Sequence, residues 1–193
     1  SIVRELTGIS SGESSLGIDC PRLPYLKNLV YIPHDSSDAV PEGFTSWENS
    51  LAGGKTVDDE TLNAIERGLD CHEIINMQYT SGTTGFPKGV MLTHHNIANN
   101  GFWIGENQNL SGADRVCIPV PLFHCFGCVL GVMACVNHGA TMVILEKFDP
   151  VAVMTAVEQE RCTALYGVPT MFIAVLDHPL RPKFDFSSLR TGI

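Results

Sequence analysis

The densest group of side chains suited to chemistry lies between Thr80 and Gly89, in the segment TSGTTGFPKG. Hydroxyl side chains and three glycines surround a single lysine, Lys88. Phosphate groups are bound by closely spaced backbone N–H groups, by hydroxyl donors and by a cation. Glycine permits the backbone conformations and the close approach that such binding requires. The segment therefore predicts a loop that holds the phosphates of a nucleotide.

This loop is not a Walker A P-loop, whose pattern is G-x-x-x-x-G-K-[ST]. Pro87 stands where the second glycine of that pattern should be, and Gly89 stands where its hydroxyl should be. The segment after Lys88 is also typical of a strand, whereas a P-loop leads into a helix. A flexible Gly/Thr-rich surface loop has a similar composition, but a strand on each side favours the phosphate-binding interpretation.

The remaining candidate ligands are cysteines and histidines. The seven cysteines favour buried free thiols in a reducing cytosol. Cys125 and Cys128 form a C-x-x-C pair, but a structural zinc site needs a second pair, and a redox role is the weaker alternative. We interpret His94 and His95 as the polar face of a helix rather than as metal ligands, because no spaced third ligand is obvious.

Alternating strands and helices are predicted to position the loop. Apolar, β-rich segments predict the strands IINMQYT before the loop, GVMLT after it, and then RVCIPV, TMVIL and CTALYG. Thr93 is expected to cap a helix that runs to about Gln108, and Asp149-Pro150 to open a helix that ends near Glu160. Further helices are predicted over GCVLGVMACVNHGA and PTMFIAVLDH. This order predicts an α/β fold, a layered domain with a mostly parallel sheet flanked by helices.

Composition and charge narrow the function classes. The chain has 193 residues, is 44% hydrophobic and carries a net charge of −9, which argues against nonspecific nucleic-acid binding. No apolar run is long enough for a transmembrane helix, and no secretory leader opens the chain. We expect a loop-rich peripheral segment over residues 1–70, with a short strand at NLVYI and a helix near Asp58 to Leu69, and an α/β core over residues 71–193.

The segment YTSGTTGFPKGV, from Tyr79 to Val90, closely resembles the phosphate-binding signature of the adenylate-forming, or AMP-binding, superfamily. The segments CIPVPLFHCFGCVLGVMACVNHGATMVI and ERCTALYGVPTMFIAVL resemble those of acyl-CoA synthetases, especially the medium-chain family member 2 type. The resemblance covers about residues 28–193. It implies an ATP-dependent ligase that converts a fatty acid to an acyl-adenylate and then transfers the acyl group to coenzyme A.

The resemblance also implies roles for individual residues. Seven loop residues are expected to contact the ATP phosphates: Thr80, Ser81, Gly82, Thr83, Thr84, Gly85 and Lys88. Thr80 is also expected to contact Mg²⁺, and Lys88 and Thr84 are expected to stabilise charge during catalysis. His124 matches a position at the acyl-adenylate site, where it would orient the carboxylate or gate the acyl tunnel; the alternative is a histidine whose nitrogens bind backbone.

Some residues near the expected acyl pocket allow two interpretations. In YGVPTMF, Met171 and Phe172 either border the acyl pocket or belong to the core. Cys125 and Phe126 likewise either line the acyl tunnel or belong to the core. The resemblance further implies that adenine, ribose and acidic Mg²⁺ ligands, and a small C-terminal domain with a catalytic lysine, lie outside this sequence. We therefore expect a cytoplasmic enzyme of which this chain is an inactive fragment. Two alternatives stay open: an adenylation domain for another carboxylate, or a silent nucleotide-binding or interaction module.

Overall fold

The computed structural model describes residues 2–8, 17–35, 37–80 and 85–193. The chain divides into two compact units, Ser1–Leu69 and Asp70–Ile193. No helix among the described residues is long and apolar enough to cross a membrane.

The first unit contains short elements around a small core. In chain order these are α1 (Ile2–Thr7), β1 (Val30–Tyr31), β2 (Thr45–Ser46), α2 (Trp47–Gly54) and α3 (Asp59–Arg67). The strands β1 and β2 pair in parallel. The Ser46 hydroxyl accepts a hydrogen bond from the N–H of Asn49 and caps α2, while the Asp58 carboxylate accepts one from Thr61 and caps α3. The sequence predicted β1 and α3, but it did not predict β2 or α2.

The second unit begins with an antiparallel hairpin and continues as an alternation of strands and helices. Its elements are β3 (Ile74–Thr80), β4 (Lys88–Thr93), α4 (His94–Asn107), β5 (Arg115–Ile118), a π-helical segment (Phe126–Met133), α5 (Ala134–His138), β6 (Thr141–Ile144), α6 (Pro150–Gln159), β7 (Ala164–Leu165), α7 (Pro169–Leu176), a 3₁₀ turn (Arg181–Lys183) and β8 (Thr191–Gly192). The hairpin pairs β3 with β4, and a four-stranded parallel sheet has the order β6-β5-β7-β8.

Both faces of the parallel sheet are covered by helices. Along β5, Val116 and Ile118 pack in a core with residues of α5 and the π-helical segment, whereas Cys117 between them packs in a second core with α6 and α7. This alternation follows from the two-residue period of a strand. The predicted α/β fold with a mostly parallel sheet flanked by helices is therefore confirmed.

Two predicted helix starts have the expected caps. The Thr93 hydroxyl accepts a hydrogen bond from the N–H of Asn96 at 3.1 Å, and Asn96 Oδ1 accepts one from the N–H of Thr93. Asp149 caps α6 by accepting from Ala152 at 2.8 Å, with Pro150 in the first turn. These caps fix the residues at which α4 begins after the hairpin and α6 begins after β6.

One helix differs in kind from the prediction. The segment predicted as a single helix ending near Gly139 begins with the π-helical turns Phe126–Met133 and becomes α-helical only at Ala134. At its start, the backbone of Gly127 lies so close to Pro121 that an added Cβ would overlap the Pro121 carbonyl. The turn between β5 and the π-helical segment carries His124. This close approach holds that turn against the helix that follows.

Candidate functional site

The predicted phosphate loop joins the two strands of the hairpin. Ser81, Gly82, Thr83 and Thr84 lie outside the described residues, so the structure describes the loop at its two ends. Thr80 and Lys88 face each other as the last cross-strand pair of β3 and β4. Directly opposed residues lie about 4.5–5.5 Å apart at Cα and project to the same face of a hairpin. The hydroxyl and the ammonium group therefore flank the loop from one side.

The described half of the loop has the backbone that the sequence predicted. Gly85 has φ of 86°, in the left-handed region that side chains with a Cβ rarely adopt. Phe86 follows with 80% of its surface exposed, and Pro87 leads directly into β4. The predicted exit into a strand is confirmed, which also supports the exclusion of a P-loop, where a helix follows.

Lys88 is exposed at the first position of β4. Among the ion pairs of the described residues, none involves Lys88. Because its charge is not neutralised by a carboxylate in this part of the chain, the ammonium group is available to an anion at the loop.

His124 lies beyond the carboxyl end of β5, and the structure describes its contact with neighbouring backbone. Its Nδ1 accepts a hydrogen bond from the backbone N–H of Phe126 at 3.1 Å, so one nitrogen does bind backbone. The ring is exposed, and among the described residues no hydrogen bond reaches Nε2. Because Nδ1 accepts, the neutral ring carries its proton on Nε2. The ring can therefore present one N–H donor to a ligand.

One cavity links the hairpin to the turn that carries His124. It has a volume of about 200 Å³ and is lined by Leu92, Asn96, Ile97, Asn100, Cys125, Val129 and Leu130. Leu92 belongs to β4, four residues after Lys88, or about 13 Å along the strand. The structure thus brings β4 next to Cys125, the neighbour of His124.

A larger cavity lies where β5 and β6 end. It has a volume of about 440 Å³ and is lined by residues 119–123, residues 144–148 and Met171. Ligands of open α/β sheets bind outside the carboxyl ends of the strands, and pockets for small molecules are mostly apolar with volumes of about 300–1,000 Å³. The wall formed by residues 144–148 was not predicted from the sequence. The signal available was the position of Leu145 directly after the strand TMVI, which is β6.

Residues near the expected acyl pocket divide between the core and the cavity. Tyr166 is fully buried, stacks on Phe126, and accepts a hydrogen bond from Gln108 Nε2 at 2.8 Å. Burial raises the pKa of Tyr166 to about 12, so its hydroxyl stays protonated. Phe172 packs against the core of α6 and α7, whereas Met171 both packs on the opposite core and lines the larger cavity.

The expectation that the cysteines are buried is wrong for three of the seven. Cys20, Cys117, Cys135 and Cys162 are buried, and burial raises the pKa of Cys135 to about 11. Cys71 and Cys125 are exposed, and Cys128 is half-buried. Both exposed thiols lie in turns outside the sheet, where the apolar neighbours that suggested burial do not cover them.

Comparison with known proteins identifies the family to which these features belong. The profile of the AMP-binding enzyme family matches residues 27–193, a span that includes the loop, His124 and both cavities.

The chain belongs to the AMP-binding enzyme family.

Relatives in the AMP-binding enzyme family cover the whole chain. It is 51% identical to YngI of Bacillus subtilis (strain 168) over 193 residues, which is 100% of this chain and 34% of YngI. It is 39% identical to the medium-chain acyl-CoA ligase ACSF2, mitochondrial, of Danio rerio over 92% of this chain and 29% of that protein. The predicted resemblance to acyl-CoA synthetases is confirmed, and the chain spans about a third of the length of these relatives.

A solved structure in the family has the same fold. The anthranilate CoA ligase AuaEII, in complex with anthranoyl-AMP, matches with a TM-score of 0.57 and 27% identity over 63% of this chain and 24% of that chain. This likeness agrees with the layered α/β arrangement of the present chain.

Proposed function

We propose that this chain is part of an AMP-forming acid–thiol ligase. The enzyme would join a fatty acid to the α-phosphate of ATP with release of pyrophosphate, and then transfer the acyl group to coenzyme A with release of AMP. The observation that carries the proposal is the hairpin loop in which Thr80 faces Lys88 within the family match. The names of ACSF2 and of the AuaEII complex agree with acyl-CoA formation through an acyl-adenylate.

The loop would act on the phosphate end of ATP. Thr80, Ser81, Thr83 and Thr84 would donate hydrogen bonds to the β- and γ-phosphates, together with backbone N–H groups at Gly82 and Gly85. Lys88 would balance the charge that grows on the pyrophosphate as the bond to the α-phosphate breaks. Donors held in place before the reaction stabilise this charge without reorganisation.

Magnesium would bind beside these donors. Mg²⁺ takes oxygen ligands, and the hydroxyl of Thr80 supplies one at the edge of the loop, on the face where Lys88 also projects. Bound Mg²⁺ would neutralise part of the phosphate charge. The acidic ligands that complete such a site are expected outside residues 1–193.

The carboxylate would lie near His124, whose Nε2–H would donate to one of its oxygens. The apolar cavity beside this turn, lined by residues 119–123 and by Met171, would take the acyl chain.

We further propose a cytoplasmic location, on the basis of the free thiols. The relative ACSF2 of Danio rerio is named as mitochondrial.

The decisive measurement is ATP–pyrophosphate exchange by the full-length protein with fatty acids of increasing length. We expect exchange that depends on a fatty acid, followed by thioester formation when coenzyme A is added. Exchange with amino acids alone would favour an adenylation domain for another carboxylate. Calorimetry that detects MgATP binding without any exchange would favour a silent nucleotide-binding module.

The 193-residue chain alone is expected to show no exchange above background with octanoate. The chain spans 34% of its relative YngI, and the groups expected to hold adenine and ribose, with the acidic ligands of Mg²⁺, would be missing. Full-length protein serves as the positive control in the same assay. Exchange by the short chain at a rate comparable to the full-length protein would contradict this prediction.

Replacing His124 separates its two roles. In His124→Asn the side-chain oxygen can still accept from the N–H of Phe126, as Asn does in turns, but the donor at Nε2 is lost. In His124→Ala both contacts are lost. If Nε2 binds the carboxylate, both variants should lower kcat/KM for the fatty acid by about 10- to 100-fold, a loss typical of one hydrogen bond to a charged group. If the Asn variant is as active as the unmodified protein, His124 does not bind the carboxylate and serves only to accept from the N–H of Phe126.

Narrowing the larger cavity is expected to shift chain-length preference. Met171→Trp adds a rigid ring where Met171 lines the cavity. The variant should lose kcat/KM with long fatty acids while activity with butyrate changes little, because only the long chains reach the added ring. The ratio of the two activities within one preparation serves as its own control. An unchanged ratio would show that Met171 does not line the acyl pocket.

A further inference from the structure

A second group of ligating side chains lies in the turn before β3, at the opposite end of the hairpin from the phosphate loop. Asp70, Cys71 and His72 each offer a donor atom, and these atoms all lie within 4.8 Å of one another. All three side chains are exposed. The Asp70 Oδ1 atom accepts a hydrogen bond from the N–H of His72 at 2.8 Å, which fixes the turn.

His95 lies against this turn, because the first residues of α4 are bound to it by backbone. The N–H of His95 donates to the carbonyl of Cys71 at 2.9 Å, and the N–H of His94 donates to the carbonyl of Glu73 at 3.3 Å. The rings of His72 and His95 have centroids 5.6 Å apart and planes inclined by 35°. Two imidazoles on one tetrahedral zinc, with Zn–N bonds of about 2.0–2.1 Å, place their centroids about 5 Å apart.

We propose that Asp70, Cys71, His72 and His95 form a binding site for Zn²⁺. A thiolate and two imidazoles suit a borderline-soft divalent ion, whereas Mg²⁺ and Ca²⁺ require oxygen ligands. Around tetrahedral zinc, neighbouring donor atoms lie about 3.3–3.6 Å apart. The three donors of the turn therefore have to approach each other by at most about 1.5 Å, which exposed side chains achieve by rotation about their χ angles.

The bound ion would join two segments that are distant in sequence. Ile74, at the start of β3, pairs with Thr93, the last residue of β4. A zinc ion held by residues 70–72 and by His95 would close this end of the hairpin. The phosphate loop lies at the other end, about 20 Å along β3. The proposed ion would therefore stabilise the hairpin without contacting the nucleotide, and the site is independent of the proposed function.

The test is titration of the metal-free full-length protein with Zn²⁺ by calorimetry and with Co²⁺ by absorption spectroscopy. We expect a Co²⁺ complex with the charge-transfer band of a bound thiolate. Cys71→Ser should abolish that band and reduce the Zn²⁺ stoichiometry by one. His72→Asn and His95→Asn should each weaken binding at this site by at least about tenfold, as even outer-sphere partners of metal ligands do.

Two matched controls keep the assignment specific. Cys125→Ser removes another exposed thiol, and His94→Asn removes the neighbouring histidine on α4; both should leave the Co²⁺ band and the Zn²⁺ affinity unchanged. Absence of a thiolate band in the unmodified protein would overturn the proposal without any variant. A band that survives Cys71→Ser, or that His94→Asn reduces as much as His95→Asn, would also overturn it. Circular dichroism of each variant verifies that the fold is retained.

Discussion

Replacing Lys88 with alanine in the full-length protein should lower the rate of ATP–pyrophosphate exchange by about 100- to 1,000-fold, equivalent to about 3–4 kcal/mol of transition-state stabilisation. Lys88 begins β4 directly across from Thr80, and both residues project to the face of the hairpin where the loop closes. Negative charge grows on the departing pyrophosphate, and the ammonium group is the cation that the described part of this loop supplies.

The kinetic pattern distinguishes catalysis from simple ATP binding. If Lys88 acts mainly in the transition state, kcat and kcat/KM should fall together; if it only holds ATP, KM should rise while kcat stays the same. Lys88→Arg keeps the charge but spreads it over a planar group, so partial activity is expected. Lys183→Ala is the matched control, since Lys183 is an exposed lysine in a 3₁₀ turn outside the hairpin.

The neighbouring hydroxyls extend this test. Combined replacement of Thr83 and Thr84 by alanine should lower the exchange rate as well, because each hydroxyl is expected to donate to a phosphate oxygen. If Lys88 and both threonines are all replaced and acyl-AMP still forms at the unmodified rate, the loop does not hold the nucleotide and the proposed function loses its basis.

Local signals predicted most of the elements that carry the candidate site. The apolar strand patterns on either side of TSGTTGFPKG predicted β3 and β4, because a strand must end where glycine and proline interrupt its pattern. The antiparallel pairing of these strands as a hairpin was not predicted. Thr93 and Asp149 predicted helix starts because a side-chain oxygen three residues before a free backbone N–H is the usual cap. The position of His124 beyond β5 also followed from the sequence.

Features that depend on tertiary contacts were not predictable. The π-helical turns after Cys125 adjoin the close approach of Gly127 to Pro121, and no local propensity encodes that contact. The wall of residues 144–148 becomes part of a cavity only because β6 lies next to β5 in the sheet. Likewise, α2 has the sequence WENSLAGG, and its two glycines are poor helix formers, so local propensity did not indicate a helix.

Truncation of Asp114 is expected to destabilise the parallel sheet. Asp114 is only 4% exposed, at the amino edge of the sheet, opposite the candidate site. Its carboxylate accepts hydrogen bonds from Arg190 Nη2 at 2.8 Å, from the Thr163 hydroxyl at 2.7 Å and from the N–H of Ser111 at 2.9 Å. These partners precede or adjoin β5, β7 and β8, so one buried charge joins three strands.

Asp114→Ala should lower the free energy of unfolding by about 2–3 kcal/mol, because the hydrogen bonds to this buried carboxylate are lost, while Arg190, with 41% of its side chain exposed, stays partly solvated. Arg190 also donates to the carbonyls of Gln108 and Asn109 at 3.0 and 2.7 Å, so Arg190→Ala should cost a similar amount. Unfolding by urea, followed by circular dichroism, measures both. A loss of less than about 1 kcal/mol, the range of a surface ion pair, would contradict a structural role for this cluster.

The same carboxylate predicts a dependence of stability on pH. Burial raises the pKa of Asp114, but hydrogen bonds from Arg190, Thr163 and Ser111 outweigh that effect and lower the pKa from 3.8 to about 2. A carboxyl group with a lowered pKa in the folded state stabilises the fold above its unfolded pKa. This contribution, about 2 kcal/mol from the pKa difference, should be fully present above about pH 4 and lost as pH falls to about 2.

Asp114→Asn isolates this contribution because it removes the charge and keeps the shape. Between pH 4 and pH 2 the unmodified protein should lose more stability than this variant, since the variant has no proton to take up at residue 114. The matched control is Asp58→Asn, because hydrogen bonds from Thr61 also lower the pKa of Asp58, but that carboxylate is exposed and asparagine can replace it as the cap of α3. If both variants follow the unmodified protein across this range, Asp114 is not the group whose protonation weakens the sheet in acid.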